Sequence, residues 1–252
     1  MNSIFDGVEA LTFDCYGTIV DWESGILQAA RALLGLTGGG RGGGSVRRGG
    51  AGPNGGAERR LSDDALLELF GRLEPAAEQP PFRSYREVLT EVAEGMGEAV
   101  GWPVSAAAAA RFADSVPEWP PFLDSRDALR RLSTKYRLAI VSNVDDDLFA
   151  GTAGRLGVTF DEVVTAQQVG CYKPEPDHFH EVLGRLELPV GAVVHVAQSL
   201  YHDIRPAKAL GFTCTWVDRR TGRSGSGATP PAEAEPDLVV PDLATLALEA
   251  GA

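Results

Sequence analysis

Four short stretches place ionisable or small polar side chains where the chain leaves an apolar run. In Glu9-Ala10-Leu11-Thr12-Phe13-Asp14-Cys15-Tyr16-Gly17-Thr18 the run ends in a carboxylate and a glycine turn. Residues 138–141 lead to Ser142-Asn143, and residues 193–197 lead to Gln198-Ser199, with Asp203 shortly after. Lys173 lies between these two, in the turn Gly170-Cys171-Tyr172-Lys173-Pro174-Glu175-Pro176. Short apolar runs bounded by turn residues read as buried strands. In an open α/β sheet, ligands bind beyond the carboxyl ends of the strands. Parallel strands would bring these groups to one edge. Asp14 could then attack carbon or phosphorus and form an ester. Amides after a strand end, with Ser142 and Asn143, could hold an anion. Lys173 would keep the carboxylates ionised and neutralise a charged substrate, and Asp203 could orient Lys173 and activate water. The plainer reading of a lone Asp at a strand end is a turn former or a helix cap.

The elements needed to position these groups can be read along the chain. Trp22, Ile26, Leu27, Ala30, Leu33 and Leu34 recur at helical spacing, with Asp21 or Ser24 available as N-cap. Residues 38–56 are mostly glycine and are expected to form a flexible loop. They contain no GxxxxGK[ST] phosphate-loop pattern. Helical spacing returns from Leu61 to about Trp102, broken at Gln79-Pro80-Pro81, and again from Ser105 to Ala113. No strand interrupts residues 20–118, which read as a helical cap domain inserted into a core made of residues 1–19 and 119–252. In that core, strands at 138–141, near 163–164, and at 193–197, 213–217 and 238–240 alternate with helices over 125–132, 148–156, 178–186 and about 204–210. This alternation calls for right-handed crossovers and a parallel, Rossmann-like sheet with helices on both faces. Residues 222–236 read as a polar, proline-rich surface loop without chemistry.

Composition narrows the function classes. A chain of 252 residues with 44% hydrophobic content suits one large domain, or a core with an insertion. A formal net charge of −12 and the lack of a basic stripe argue against a nucleic-acid binder. A small anionic substrate would need a local positive site. Cys15, Cys171 and Cys214 form no CxxC pair, which fits a reducing, cytoplasmic setting. No signal-peptide pattern and no membrane-length apolar run are present, so no membrane partner is expected. His178, His180, His195 and His202 show no zinc-ligand spacing.

The ordered motifs FDCYGT, IVSN, KPEP with its Lys173, and HVAQSLYHDIRPAKALGF resemble those of haloacid dehalogenase superfamily hydrolases, over about Leu11 to Val217. The resemblance implies Asp14 as nucleophile and Lys173 and Asp203 in the hydrolytic step. Cys15, Tyr16, Thr18, Ser142, Asn143 and Ser199 would bind substrate. Phosphatases of this superfamily carry an acid two residues after the nucleophile, where this chain has Tyr16. An unperturbed phenol, with a pKa of ~10, is a poor proton donor at neutral pH. DxYGT is the form of the L-2-haloacid dehalogenase branch, which implies displacement of halide from small 2-haloalkanoic acids without metal or other cofactor. Gln198 replaces the first acid of the phosphatase pattern near the last motif. Asp14, the Tyr16 carbonyl and Asp203 are the remaining ligands for Mg²⁺, should the protein be a phosphatase. The branch has a halide-holding cap arginine, for which Arg72 is the first candidate, then Arg83 and Arg86. It also has a tyrosine where Phe179 stands, an asparagine at Leu200 and an aromatic residue at His202, and these departures put the substrate in doubt. Similar proteins are often homodimers, although no stretch identifies an interface. A non-catalytic binding protein that kept the fold is the third alternative.

Overall fold

A computed structural model describes residues 3–36, 61–223 and 225–252. The glycine-rich stretch 38–56 lies outside the described residues. Six parallel strands form one sheet: β1 (Ala10–Phe13), β2 (Arg137–Ser142), β3 (Glu162–Thr165), β4 (Val193–Ala197), β5 (Thr213–Val217) and β6 (Leu238–Val240). Their order is β3-β2-β1-β4-β5-β6, which places β1 in the middle. All four residues of β1 are buried, as a strand covered on both faces requires. Phe13 lies level with Ile140 of β2 and Val196 of β4, so Asp14, Ser142 and Gln198 all emerge at one edge.

Two apolar clusters cover the sheet. Leu11, Phe13, Leu138, Ile140, Val194 and Val196 face one side, where α5 (Ser125–Leu132), α6 (Asp146–Leu156) and α10 (Leu243–Glu249) contribute Leu129, Leu148 and Leu246. Ala10, Ala139, Val141, Val193 and Ala197 face the other side, against Phe179 and Val182 of α8 (Asp177–Leu186) and Ala207 of α9 (Arg205–Ala209). The strands were expected at these places. The short α7 (Ala166–Val169) and α10 carried no expectation, because two turns or fewer give little periodicity to read.

Between β1 and β2 the chain forms α1 (Trp22–Leu34), α2 (Asp63–Ala77), α3 (Tyr85–Ala99) and α4 (Ala106–Ala113), which pack on one another. Asp21, Ser62, Ser84 and Ser105 cap them, each side chain accepting a backbone N–H three residues on. Ser84 and Glu87 complete a capping box. The N-terminus of α3 is also tied to the core. Asp145, just before α6, accepts the backbone N–H groups of Tyr85 at 2.8 Å and Arg86 at 2.9 Å. The segment 222–236 departs from the expected surface loop. Ala228 is fully buried, with its carbonyl against Gly71 of α2, and Thr229 reaches the strand-end edge. Small side chains let this polar stretch pack closely between the helices and the sheet.

Gly25 in α1 lies under the indole of Trp119, where a Cβ would come within 2.2 Å of a ring carbon. Alanine favours a helix interior over glycine by about 1 kcal/mol, but overpacking of this kind costs about 1–3 kcal/mol. Gly25→Ala is expected to lower the midpoint of urea unfolding. An unchanged or higher midpoint would show that Trp119 can move aside.

Candidate active site

The strand-end edge converges on the ammonium of Lys173, which is 1% exposed. Its Nζ donates to Asp14 Oδ1 at 2.9 Å, to Asp203 Oδ1 at 2.6 Å and to the carbonyl of Val141 at 2.8 Å. Those three bonds use its three protons. The backbone beneath is held by Asn143, whose Oδ1 accepts from the Lys173 N–H at 2.8 Å while its Nδ2 donates to the Lys173 carbonyl at 3.1 Å. Asn143, at the end of β2, thereby fixes the turn that delivers Lys173.

Asp14 directly follows β1. Its second oxygen accepts from Thr18 Oγ1 at 2.7 Å, and Thr18 Oγ1 in turn accepts the Gln198 N–H at 2.9 Å. Gly17 turns the chain between them at φ +96°, where a Cβ would meet the Trp22 ring nitrogen at 2.9 Å. Glycine is the residue that fits there. Asp203 sits on a π-helical turn, Leu200–Ile204, leading into α9; such turns are frequent at functional sites. Because a carboxylate only accepts, His195 Nε2 donates to Asp203 at 3.1 Å, while Nδ1 bonds Thr12 Oγ1 at 2.9 Å.

The charges are interdependent. Burial lowers the pKa of Lys173, but Asp14 and Asp203 reverse this and raise it. Burial raises Asp203, yet Lys173 and the His195 bond hold it down at about 2. For Asp14, burial outweighs Lys173, and Asp203 adds to the rise. The Tyr16 hydroxyl bonds Thr152 Oγ1 at 2.9 Å, and burial pushes its pKa well above that of a free phenol. His202 is neutral near pH 7, since burial lowers its pKa to about 4.

The cavity at this edge is about 30 Å³. From the sheet side Asp14, Tyr16, Ser142, Asn143, Lys173, Gln198, Ser199, His202 and Asp203 line it. Thr18 stands behind Asp14, and Cys15 is buried with its thiol pKa raised by burial and by Asp14. Arg72 requires correction. It is exposed on α2 and borders a separate cavity beside Ala65, Ala99 and Pro230. At 100° per residue it lies about 200° round the helix from Phe70, which faces inward. Arg83 and Arg86 also point elsewhere, bonding Glu91 and the Asp114–Asp147 pair. The inward face of α2 brings Glu74, and its C-terminal end Glu78; α3 adds Tyr85. Tyr85 Oη donates to Glu74 Oε1 at 2.5 Å. Glu74 was missed, although it carries a signal. It continues the core stripe Leu66–Phe70 at helical spacing, so a carboxylate occupies an apolar phase. Thr229, from the segment 222–236, was also missed.

Of the Asp14 and Asp203 side-chain oxygens, Asp203 Oδ2 is the one left unengaged for Mg²⁺ among the described residues. Both Asp14 oxygens and one oxygen of Asp203 are already held by Lys173 or Thr18, and the lysine ammonium lies between the carboxylates. Gln198 is neutral, and its side-chain oxygen accepts from Thr229 at 3.2 Å. Mg²⁺ wants near-octahedral oxygen ligands with negative charge. Among the described residues, no group of three His, Cys, Asp or Glu side chains is placed to hold a metal.

A family model for haloacid dehalogenase-like hydrolases matches residues 8–211. The chain belongs to that family. An (S)-2-haloacid dehalogenase of Pseudomonas sp. (strain CBS-3) is 24% identical over 217 residues, covering 85% of this chain and 86% of that protein. A 5-amino-6-(5-phospho-D-ribitylamino)uracil phosphatase of Escherichia coli is 28% identical over 100 residues, covering 39% of this chain and 40% of that one. The fold matches that of the L-2-haloacid dehalogenase of Xanthobacter autotrophicus with a TM-score of 0.72 and 21% identity, covering 96% and 97% of the two chains. That enzyme has also been solved with chloropropionic acid covalently bound. In this haloacid dehalogenase-like hydrolase, no helix among the described residues is long and apolar enough to cross a membrane.

Glu74 gives a pH-dependent test of the site's electrostatics. Burial raises its pKa from 4.5 to about 7; Tyr85 opposes the rise and the Asp14 charge adds to it. Between these values the folded protein binds the extra proton, so this group's contribution to stability falls as pH rises from 4.5 to 7. Glutamine does not titrate. Chemical denaturation should therefore show Glu74→Gln gaining roughly 3 kcal/mol on the wild type across that window, with no further gain above it. A pH-independent difference would mean that Glu74 titrates normally.

Proposed function

We propose that this hydrolase displaces halide from a small 2-haloalkanoic acid through an ester on Asp14, without a metal. The carrying observation is the Lys173 ammonium seated between Asp14 and Asp203. It supplies the positive charge that Mg²⁺ would otherwise bring, while holding one Asp14 oxygen in place. Asp14 attacks C2 of the substrate, a carbon–oxygen bond forms, and the carbon–halogen pair leaves as halide. Water then adds to the Asp14 carbonyl carbon. The acyl–oxygen bond breaks, releasing a 2-hydroxy acid and a proton, and Asp14 regains a carboxylate carrying one oxygen from water. Asp203 and Lys173 position that water, and Ser142, Asn143 and Ser199 position the substrate carboxylate. Helices α1–α4 serve as the cap. A cavity of about 30 Å³ holds little more than water, so binding requires them to draw back.

Halide leaves without a proton, which suits Tyr16: its hydroxyl is engaged by Thr152 and only weakly acidic. The covalent chloropropionic acid adduct of the Xanthobacter enzyme supports the same step by analogy. One observation favours a second reading, a phosphatase. Glu74, with a pKa near 7, has the acidity suited to protonating a departing alkoxide at neutral pH.

Single turnover in H₂¹⁸O tests both readings. With 2-chloropropanoate, halide release and label in the peptide containing Asp14 are expected, unaffected by EDTA. Asp14→Asn should reduce the rate by roughly a thousandfold or more. Turnover of a phosphate ester that EDTA abolishes, with no halide released from the chloro acid, would replace the first reading by the second.

A further inference from the structure

The helical side of the cavity is unsuited to an anion. Among the described residues lining it, Lys173 is the sole lysine or arginine, and its protons are committed to Asp14, Asp203 and Val141. Facing the strand ends are Glu74 and Glu78, with Tyr85 already spending its hydroxyl proton on Glu74 Oε1. Glu74 is 3% exposed, and Oε1 is the oxygen bonded to Tyr85. On the sheet side, Ser142 Oγ, His202 Nε2 and Asp203 Oδ2 are buried, border the same cavity and have no hydrogen-bond partner among the described residues. Buried polar atoms of this kind are rare unless water or a ligand meets them. The site therefore presents polar groups on both walls and carboxylates on the wall opposite the nucleophile.

We propose that Glu74 determines specificity by accepting a hydrogen bond from a hydroxyl or ammonium group on the substrate carbon nearest α2, and by rejecting a second carboxylate there. This rests on the Proposed function for the orientation of the substrate, whose first carboxylate lies at the strand ends. The group facing α2 then meets Glu74. A donor there gains a hydrogen bond to a charged acceptor, worth about tenfold in affinity. A carboxylate there meets like charge in a poorly hydrated space. The titratable groups around Glu74 are Tyr85 from α3, Glu78 from the end of α2 and Asp14 from the end of β1. Burial raises the pKa of Tyr85 and Glu78 above the ordinary values and that of Glu74 to about 7, so near pH 8 Glu74 carries its charge.

Propanoate, 3-hydroxypropanoate, 3-aminopropanoate and succinate carry no leaving group, so their binding to the intact wild-type protein reads selectivity apart from turnover. Calorimetry near pH 8 should find the hydroxy and amino acids binding about tenfold tighter than propanoate, and succinate weaker than propanoate. In Glu74→Gln an amide can still accept from Tyr85 while presenting N–H to the cavity. The preference for donors should then fall to within about twofold, and succinate should gain relative to propanoate. The inference is overturned if succinate or propanoate binds wild type as tightly as the donors, if the order survives Glu74→Gln, or if none of the four binds. Should Glu74→Gln not fold, the wild-type order decides alone. Halide release from 2-chloropropanoate is measured in parallel. The binding order without halide release removes the proposed reaction and keeps the selectivity, while halide release without the order does the reverse.

Discussion

An ammonium group with almost no contact with solvent is stable only if its charge is matched and its protons are all bonded. Lys173 meets both conditions through Asp14, Asp203 and the Val141 carbonyl. Those partners come from the ends of β1 and β2 and from the turn after β4, so the match exists only when three strands lie in register. Desolvating a lone charge costs several kcal/mol, and removing one partner from a buried pair is more damaging than the pair's net worth. The requirement runs in both directions. Asp14 and Asp203 share this corner of the sheet, and without the lysine they would repel each other across a poorly screened space. The grouping that makes Asp14 a candidate nucleophile is therefore also a condition for the sheet edge to hold together.

The supporting residues show the same economy of position. Asn143 fixes the backbone of Lys173, Thr18 aligns Asp14, and His195 bridges Thr12 to Asp203. Each acts on one member of the trio: Asn143 from the end of β2, Thr18 from the turn after β1 and His195 from within β4. Tyr16 does something else: bonded to Thr152 and set edge-on to Trp119, it joins the turn after Asp14 to α6 and to the chain beneath α1. A side chain held in this way is a wall of the site rather than a source of protons.

Residues whose placement follows from local sequence were legible before any coordinates. Asp14, Ser142 and Gln198 close apolar runs, and parallel pairing is enough to bring such ends together. Lys173 and Asp203 came from short ordered motifs. Arg72 failed for a physical reason: it follows an apolar helix stripe, but its own helical phase turns it outward. Glu74 is the converse: it carried no expectation, although its spacing from Leu66 and Phe70 places it inward. Phase was the better guide in both cases. Thr229 and Ala228 could not have been found in this way, because the segment 222–236 has no period and its burial depends on small side chains meeting Gly71 of a distant helix.

The two walls of the cavity are consequently built under different constraints. On the sheet side, Lys173 is bonded to Asp14, Asp203 and the Val141 carbonyl together, and a substitution among them disturbs several bonds at once. On the helical side, Glu74 relies on one bond from Tyr85, and the phase of α2 alone decides which residue faces inward. Exchanging the residue at such a position changes the charge opposite Asp14 without removing a hydrogen bond to Lys173. The Lys173 grouping and the carboxylate that faces it from α2 are thus held by separate elements of the fold. Likeness along the strand-end motifs therefore says nothing of the charge that α2 presents to the cavity.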